Sequence, residues 1–468
     1  MRWSVSRWTE VLPEARLVGN AAALEAVETF FIDSRSPGKG GMFVPLKGEN
    51  TDGHQFLEQA LAAGAASFCS AAFFDARPVA VPSGKVLVVV ADVLEALAAF
   101  AAAHLDSFGA TLRLGVTGSN GKTTTKELLA AALEVYGPTY ATAGNWNSEI
   151  GVPLTALGME KGNSFAVFEM GINHRGEMDL LASVVRPLLS IVTNIGTAHI
   201  GMIGSQHEIA LEKKKIFSRS GSFAIAVLPA ADRFLPVLTE GFEGTVRLFG
   251  RSQPGFRLIA DHGLDGTEFE WKGTPFRLSL PGLHHIDNAL AVLAAVETLG
   301  LDWRRCVPAL ASVGAAFGRG QVEHGSVDLL LDCYNANFDS MLGLFELVRT
   351  LPKTGRVVLV LGSMKELGAE TEALHRRLGA EAARLDVDAV FFFGAEAEAA
   401  YDACVAGGFA SRAEWVGEFD ELRRLVGESV RPGDLVVLKG SRSNRLERLR
   451  DLWFAAEDRV LGEAGHVL

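Results

Sequence analysis

The segment Thr117-Gly118-Ser119-Asn120-Gly121-Lys122-Thr123-Thr124 carries the clearest chemistry in the sequence. Glycines let the loop's backbone N–H groups turn toward phosphate oxygens, and a helix starting near Lys122 adds partial positive charge at its N-terminus. Lys122 supplies a cation, the Thr123 hydroxyl is a magnesium ligand by type, and Thr124 continues the cradle. Val116 stands where the longer G-x-x-x-x-G-K-T form needs glycine, so the match is to G-x-x-G-K-T. A chance glycine turn accounts for neither the Lys-Thr pair nor the flanking strand and helix patterns. Such a loop specifies binding of nucleotide phosphates and leaves the reaction open, because pumps, switches, kinases and ligases share it.

The elements that must hold this loop follow from periodicity. Apolar runs at 86–90, 112–116, 190–193, 357–361, 390–393 and 435–438 alternate with helical patterns and are rich in Val, Ile, Leu and Phe. Runs of that kind suit strands covered on both faces, as in parallel α/β sheets. The expected fold is therefore α/β. A chain of 468 residues exceeds one hydrophobic core, and its punctuation divides it into three domains, 1–108, 109–318 and 319–468. The central one is expected to be a P-loop mononucleotide-binding parallel sheet and the last a Rossmann-like domain.

Composition narrows the partners. A net charge of −12 with no basic run longer than Lys213-Lys214-Lys215 argues against nucleic acid, and by itself that run reads as a solvated helix face. Cys69, Cys306, Cys333 and Cys404 form no C-x-x-C pair, which excludes a zinc ribbon and a disulfide framework and fits a reducing cytoplasm. No apolar run spans a bilayer, and the alanine-rich stretch at 96–103 reads as a packed helix.

Downstream of the loop stand Gly144-Asn145-Trp146-Asn147-Ser148-Glu149-Ile150-Gly151-Val152-Pro153, Glu169-Met170-Gly171-Ile172-Asn173-His174 and Thr193-Asn194-Ile195-Gly196-Thr197-Ala198-His199. With the loop, these segments resemble the Mur ligases. The resemblance runs from about residue 33 to 447, and its order and spacing make it highly specific. Leu331-Asp332-Cys333-Tyr334-Asn335-Ala336-Asn337 and Leu361-Gly362-Ser363-Met364-Lys365-Glu366-Leu367-Gly368 look like the member that adds D-alanyl-D-alanine to UDP-N-acetylmuramoyl-tripeptide. The D-N-P-R segment of the sister that adds the third amino acid is absent from the sequence.

The resemblance implies an ATP-dependent amide ligase of peptidoglycan precursor synthesis, a monomer using ATP and Mg2+. The tripeptide carboxylate would be phosphorylated and then attacked by the dipeptide amine, releasing phosphate. Holding two anions together demands concentrated positive charge, so Lys122 and magnesium ligands are expected. By resemblance Glu169 and His199 face magnesium with Thr123, and Lys213, in Ile209-Ala210-Leu211-Glu212-Lys213, is carbamylated to bind a second ion. Lys215 stands where relatives commonly carry glutamate, and Leu331 and Ser363 replace common aspartates. Asn288 matches the asparagine that lies against adenine, with helix capping as the alternative, and His285 departs from the usual residue beside it. Arg319 resembles the junction arginine that reaches the γ-phosphate, a task suited to its planar fork. Asp332, Tyr334, Asn335 and Asn337 resemble the segment offered to nucleotide and incoming amine, and Asn145 and Asn147 join the substrate contacts. Lys439-Gly440-Ser441-Arg442 reads equally as an anion-facing turn or a plain strand-to-helix loop. Ser34 and Arg35, with the segment 46–53, resemble the part that holds the uridine diphosphate end, although such polar residues also cap their own turns.

Other readings compatible with the loop are a related amide ligase, such as the sister or a folate polyglutamylating enzyme, a non-catalytic precursor sensor, and a transport ATPase. Intact Lys122, Thr123, Glu169 and His199 weigh against the sensor. Absence of a membrane segment weighs against the transporter.

Overall fold

The computed structural model describes residues 3–36, 40–48, 51–352 and 355–455. Every apolar run singled out in the sequence forms a strand, and each lies in a sheet that is wholly or mainly parallel. The first sheet orders Arg16–Gly19, Val86–Val90, Ala66–Ser70, Met42–Phe43 and Phe30–Phe31, antiparallel only at its first pair. The central sheet runs Thr245–Phe249, Ile225–Pro229, Leu189–Val192, Leu112–Thr117, Phe165–Glu169 and Thr139–Ala141, parallel throughout.

The last sheet orders Gln321–His324, Asp328–Asp332, Leu435–Lys439, Val357–Gly362, Ala389–Phe393 and Arg412–Val416. All but its first pair are parallel, and the intervening helices cover its two faces. A small antiparallel sheet at Phe256–Asp261, Thr267–Trp271 and Thr274–Leu278 was not expected. Its alternating Phe269, Trp271, Phe276 and Leu278 turn inward to the central core, while Leu258 and Ile259 face solvent. That half-solvated pattern is the antiparallel signature, and it is shorter than the long buried runs that dominate the reading.

The first and central sheets share one apolar cluster. The helix Val93–Asp106, which contains the alanine-rich stretch, turns Phe100 into a nest of Trp3, Trp8, Phe30 and Phe68. The same cluster continues into Val152, Ala156, Leu181 and Val185 of the central helices Gly151–Leu157 and Glu177–Val185. His104 Nε2 closes the join at 2.9 Å from the Met159 carbonyl. The last sheet has separate cores on its two faces, built around Phe345 and Phe392 on one and Phe391 and Val436 on the other. All four cysteines are buried and free.

Candidate active site

The phosphate loop leaves the strand Leu112–Thr117 and enters the helix Lys122–Glu134, four residues before the Lys126 start of the helical pattern. Its shape is fixed from the next strand. Ser119 N–H donates to the Asn194 carbonyl at 3.0 Å and Asn120 N–H to Asn194 Oδ1 at 3.0 Å. Thr193 Oγ1 and Asn194 Nδ2 both donate to the Asn120 carbonyl, at 2.6 and 3.0 Å. Gly118 has φ 147°, and a Cβ there would sit 1.8 Å from Thr193 Oγ1, so no other residue fits. Lys122 Nζ rests on the loop carbonyls of Gly118 and Ser119 at 3.0 and 3.3 Å. Burial depresses its pKa, Glu169 opposes the shift, and Arg319 adds to it.

Glu169 ends its strand with no exposed surface. Its Oε1 accepts from Asn147 Nδ2 at 2.7 Å and its N–H donates to Thr142 Oγ1 at 3.0 Å. The buried Lys126 in turn holds the Thr142 carbonyl at 2.7 Å. Glu169 Oε2 and Thr123 Oγ1 are buried without a hydrogen-bond partner. Two orphaned oxygens beside a phosphate loop are donors of the kind magnesium selects, so the residues fit that ion.

Lys213 corrects the solvated reading of the lysine run. It is 1% exposed in the last turn of the helix Gln206–Lys214, while Lys214 and Lys215 pair with Glu240 and with Asp179 and Glu212. Burial, then the positive charge of Lys122, push its pKa well down, and Glu212 only partly opposes them. Glu212 Oε1 is itself engaged by the N–H groups of Gly176 and Met178.

The last domain closes over the loop to form a cleft of about 1420 Å3. Ser119, Asn120, Gly121, Lys122, Thr124, Asn145, Asn147, Glu169 and His199 line one wall with Asn288, and Arg319, Asp332, Tyr334, Asn335 and Asn337 line the other. Asn288 sits within the helix His284–Thr298 and caps nothing; its Oδ1 would lie 2.6 Å from a Cβ at Gly121. The Arg319 guanidinium lies 4.0 Å over the Tyr334 ring, between two glycines of positive φ. Asp332 pairs with the buried Lys439, and Lys439, Ser441 and Arg442 line the cleft. Asn335 Oδ1 accepts from the Ala336 N–H at 2.8 Å.

Polar contacts cross between the walls, and the sequence assigned none of the following. Asn120 and Asn337 exchange amide hydrogen bonds of 2.7 and 3.3 Å, and Asn337 also caps the helix Phe338–Thr350. Asp339 Oδ2 accepts from the N–H and Oγ1 of Thr197 at 2.5 and 2.7 Å. His199 Nδ1 lies 2.6 Å from Glu366 Oε2, and the imidazole holds that carboxyl below its ordinary range. Asp339 two residues beyond Asn-Ala-Asn and Glu366 within a quoted segment were the available signals.

Ser34 and Arg35 lie outside this cleft. Arg35 is exposed and grips Asp33 through Nε and Nη2, which brings the Asp33 pKa down to about 2. Ser34 is buried, and Glu49 and Asn50 of the neighbouring segment fall outside the described residues.

The comparisons place this architecture. The family descriptions "Mur ligase family, catalytic domain", "Mur ligase middle domain" and "Mur ligase, glutamate ligase domain" match residues 27–105, 116–296 and 318–442. The chain belongs to the Mur ligase family. Among its relatives is the UDP-N-acetylmuramoyl-tripeptide–D-alanyl-D-alanine ligase of Treponema pallidum (strain Nichols), 37% identical over 429 residues, covering 90% of this chain and 92% of the relative. Crystal structure I of MurF from Acinetobacter baumannii superposes with TM-score 0.84 at 27% identity, covering 97% of this chain and 99% of that one. The MurF ligase of Thermotoga maritima in complex with ADP gives 0.79 at 29% identity, covering 91% and 97%.

Proposed function

We propose that this chain joins D-alanyl-D-alanine to UDP-N-acetylmuramoyl-tripeptide at the expense of ATP, in the cytoplasm and as a monomer. The observation that carries the reading is a single cleft in which a braced phosphate loop faces Arg319 and the 332–337 segment across a gap spanned by polar contacts. Residues 1–108 hold the uridine diphosphate end with Ser34 and Arg35, 109–318 hold ATP, and 319–468 bring the dipeptide.

The uncapped N–H groups at the start of the helix Lys122–Glu134, with the Lys122 side chain and Arg319, bind the phosphates, with Asn288 toward the adenine and Asp332 toward the nucleotide from the far wall. Thr123, Glu169 and His199 would hold magnesium, which supplies charge neutralisation when bound. Burial lowers the Lys213 pKa and so favours the neutral amine, the form that adds CO2, and the carbamate would serve a second ion. Asn145 and Asn147 orient the tripeptide carboxylate toward the γ-phosphorus. A carboxylate oxygen bonds that phosphorus as ADP leaves; the dipeptide amine then bonds the acyl carbon, loses a proton, and phosphate departs. Closure by Asn337 and its neighbours excludes water from an intermediate that hydrolysis would destroy.

Phosphate release from Mg-ATP is the test. Release that requires both UDP-muramoyl-tripeptide and D-alanyl-D-alanine, with a product heavier by the dipeptide residue, is expected. Release indifferent to the dipeptide, or driven by another amine, overturns the named substrate.

A further inference from the structure

Beside the main cleft lies a second recess of about 400 Å3, at the carboxyl ends of the last sheet's strands. Phe393 ends one strand and Gly394 follows it, Phe419 follows another, and the turn 443–448 follows a third. Lys365 and Ser443 line both cavities, so the recess opens directly onto the cleft.

Its own cations divide into two kinds. Lys365 pairs with Glu396, while in the adjoining cleft Arg442 pairs with Glu447 and Lys439 with Asp332. Arg445 and Arg448 meet no carboxylate among the described residues; Arg448 lies 4.1 Å over the Phe419 ring instead. Both are exposed, and two arginines lacking a counter-charge in one recess give it a local positive field in a chain of net charge −12. The turn that carries them is rigid. Buried Asn444 donates to the carbonyls of Ser363 and Ser441 at 2.8 and 3.0 Å, and Arg445 adopts the left-handed conformation at φ 51°. Backbone held in that region by a buried side chain is the arrangement expected of a preorganised binding turn.

We propose that this recess receives the terminal carboxylate of the incoming dipeptide, with Arg445 and Arg448 as its anion-binding residues and Phe393 and Phe419 as an apolar floor for the terminal methyl. The inference rests on the reading of the main cleft given above. An extended dipeptide spans about 7 Å, which allows its amine to lie in the cleft while its carboxylate enters an adjoining recess. Two arginines would also suit a phosphate, and the experiment separates the two sources.

The experiment measures steady-state KM for D-alanyl-D-alanine, for its C-terminal amide and for ATP in wild type, Arg445→Gln, Arg448→Gln and Arg448→Lys, with melting curves as a control for folding. Wild type is expected to favour the acid over the amide by about tenfold or more, a gap worth one charge-assisted contact. Each glutamine variant raises the KM of the acid about tenfold, leaves that of the amide within twofold, and retains its KM for ATP. Arg448→Lys, which keeps the charge, recovers part of the loss. Equal use of acid and amide by wild type, or unaltered dipeptide KM in well-folded glutamine variants, overturns the assignment while the ligase reading stands. A rise in KM for ATP alone overturns it in favour of a nucleotide phosphate. Wild type that does not use the dipeptide at all removes both.

Discussion

The two joins between domains are built from opposite materials. The first and central sheets share a continuous apolar cluster running from Trp8 and Phe100 through Val152 and Leu181. The central and last domains meet chiefly through Asn120–Asn337, Thr197–Asp339, His199–Glu366 and a Gly201–Glu366 backbone bond, with Ile200 and Leu264 adding small apolar contacts. Large apolar joins behave as one body, whereas small polar ones open and close. The comparison therefore assigns motion to the last domain alone: the wall bearing the phosphate loop is assembled beforehand, and the wall bearing Arg319 and Asp332 arrives.

The largest effect should come from the preassembled wall. Lys122→Ala is expected to lower kcat about a thousandfold while leaving the melting profile intact, checked by phosphate release and calorimetry. Comparable turnover in that variant would break the assignment of the loop as the charge-bearing wall.

Phe100→Ala comes next. Removing a fully buried ring from the shared core should destabilise by about 3–5 kcal/mol. Because the core is common, urea unfolding followed by hydrogen exchange should show the first and central domains weakening together and the last unchanged. Independent loss of the first domain would contradict the single body.

Asp339→Ala should cost about tenfold in kcat/KM, from two lost hydrogen bonds to Thr197, with little change in melting. Small-angle scattering should show the ligand-bound variant more open than wild type. A strong drop in stability without opening would mean that the polar join is structural after all.

The smallest effect is a pH dependence inside the mobile domain. Fully buried His375 accepts from the Met364 N–H at 3.0 Å through Nε2 and faces the Thr371 carbonyl through Nδ1 at 2.7 Å. Burial holds its pKa below the ordinary 6.5, so between the two values the unfolded chain binds more protons. Stability of the last domain should be fully present above about 6.5 and decline as pH falls toward the depressed folded value. His375→Gln should flatten that slope in melting curves taken from pH 7 to 5.

What the sequence made legible follows the same division. The phosphate loop was readable because it sits where a long apolar strand meets a helical pattern, and local pattern marks such places, whereas Glu169, His199 and Arg319 were singled out through family resemblance. Burial of Lys213 was not readable, since its run of three lysines looks solvated and the resemblance spoke only to its modification. The polar join was not readable, because Asn120 and Asn337 lie 217 residues apart and Thr197 and Asp339 lie 142 apart. The same is true of the recess around Arg445, whose unpaired charge shows only when the carboxylates near it are seen to be taken. Its antiparallel sheet at 256–278 was missed because three short alternating strands give a weaker signal than fully buried runs.

The two residues that meet at the edge of the cleft, His199 and Glu366, both adopt left-handed backbone, at φ 59° and 64°. Neither is glycine, so each carries a conformational cost of about 1 kcal/mol that glycine would relieve. A search for heat-resistant variants of this chain would thus be drawn to glycine at 199 and 366, and each gain in melting temperature would be made by discarding a side chain that closure requires.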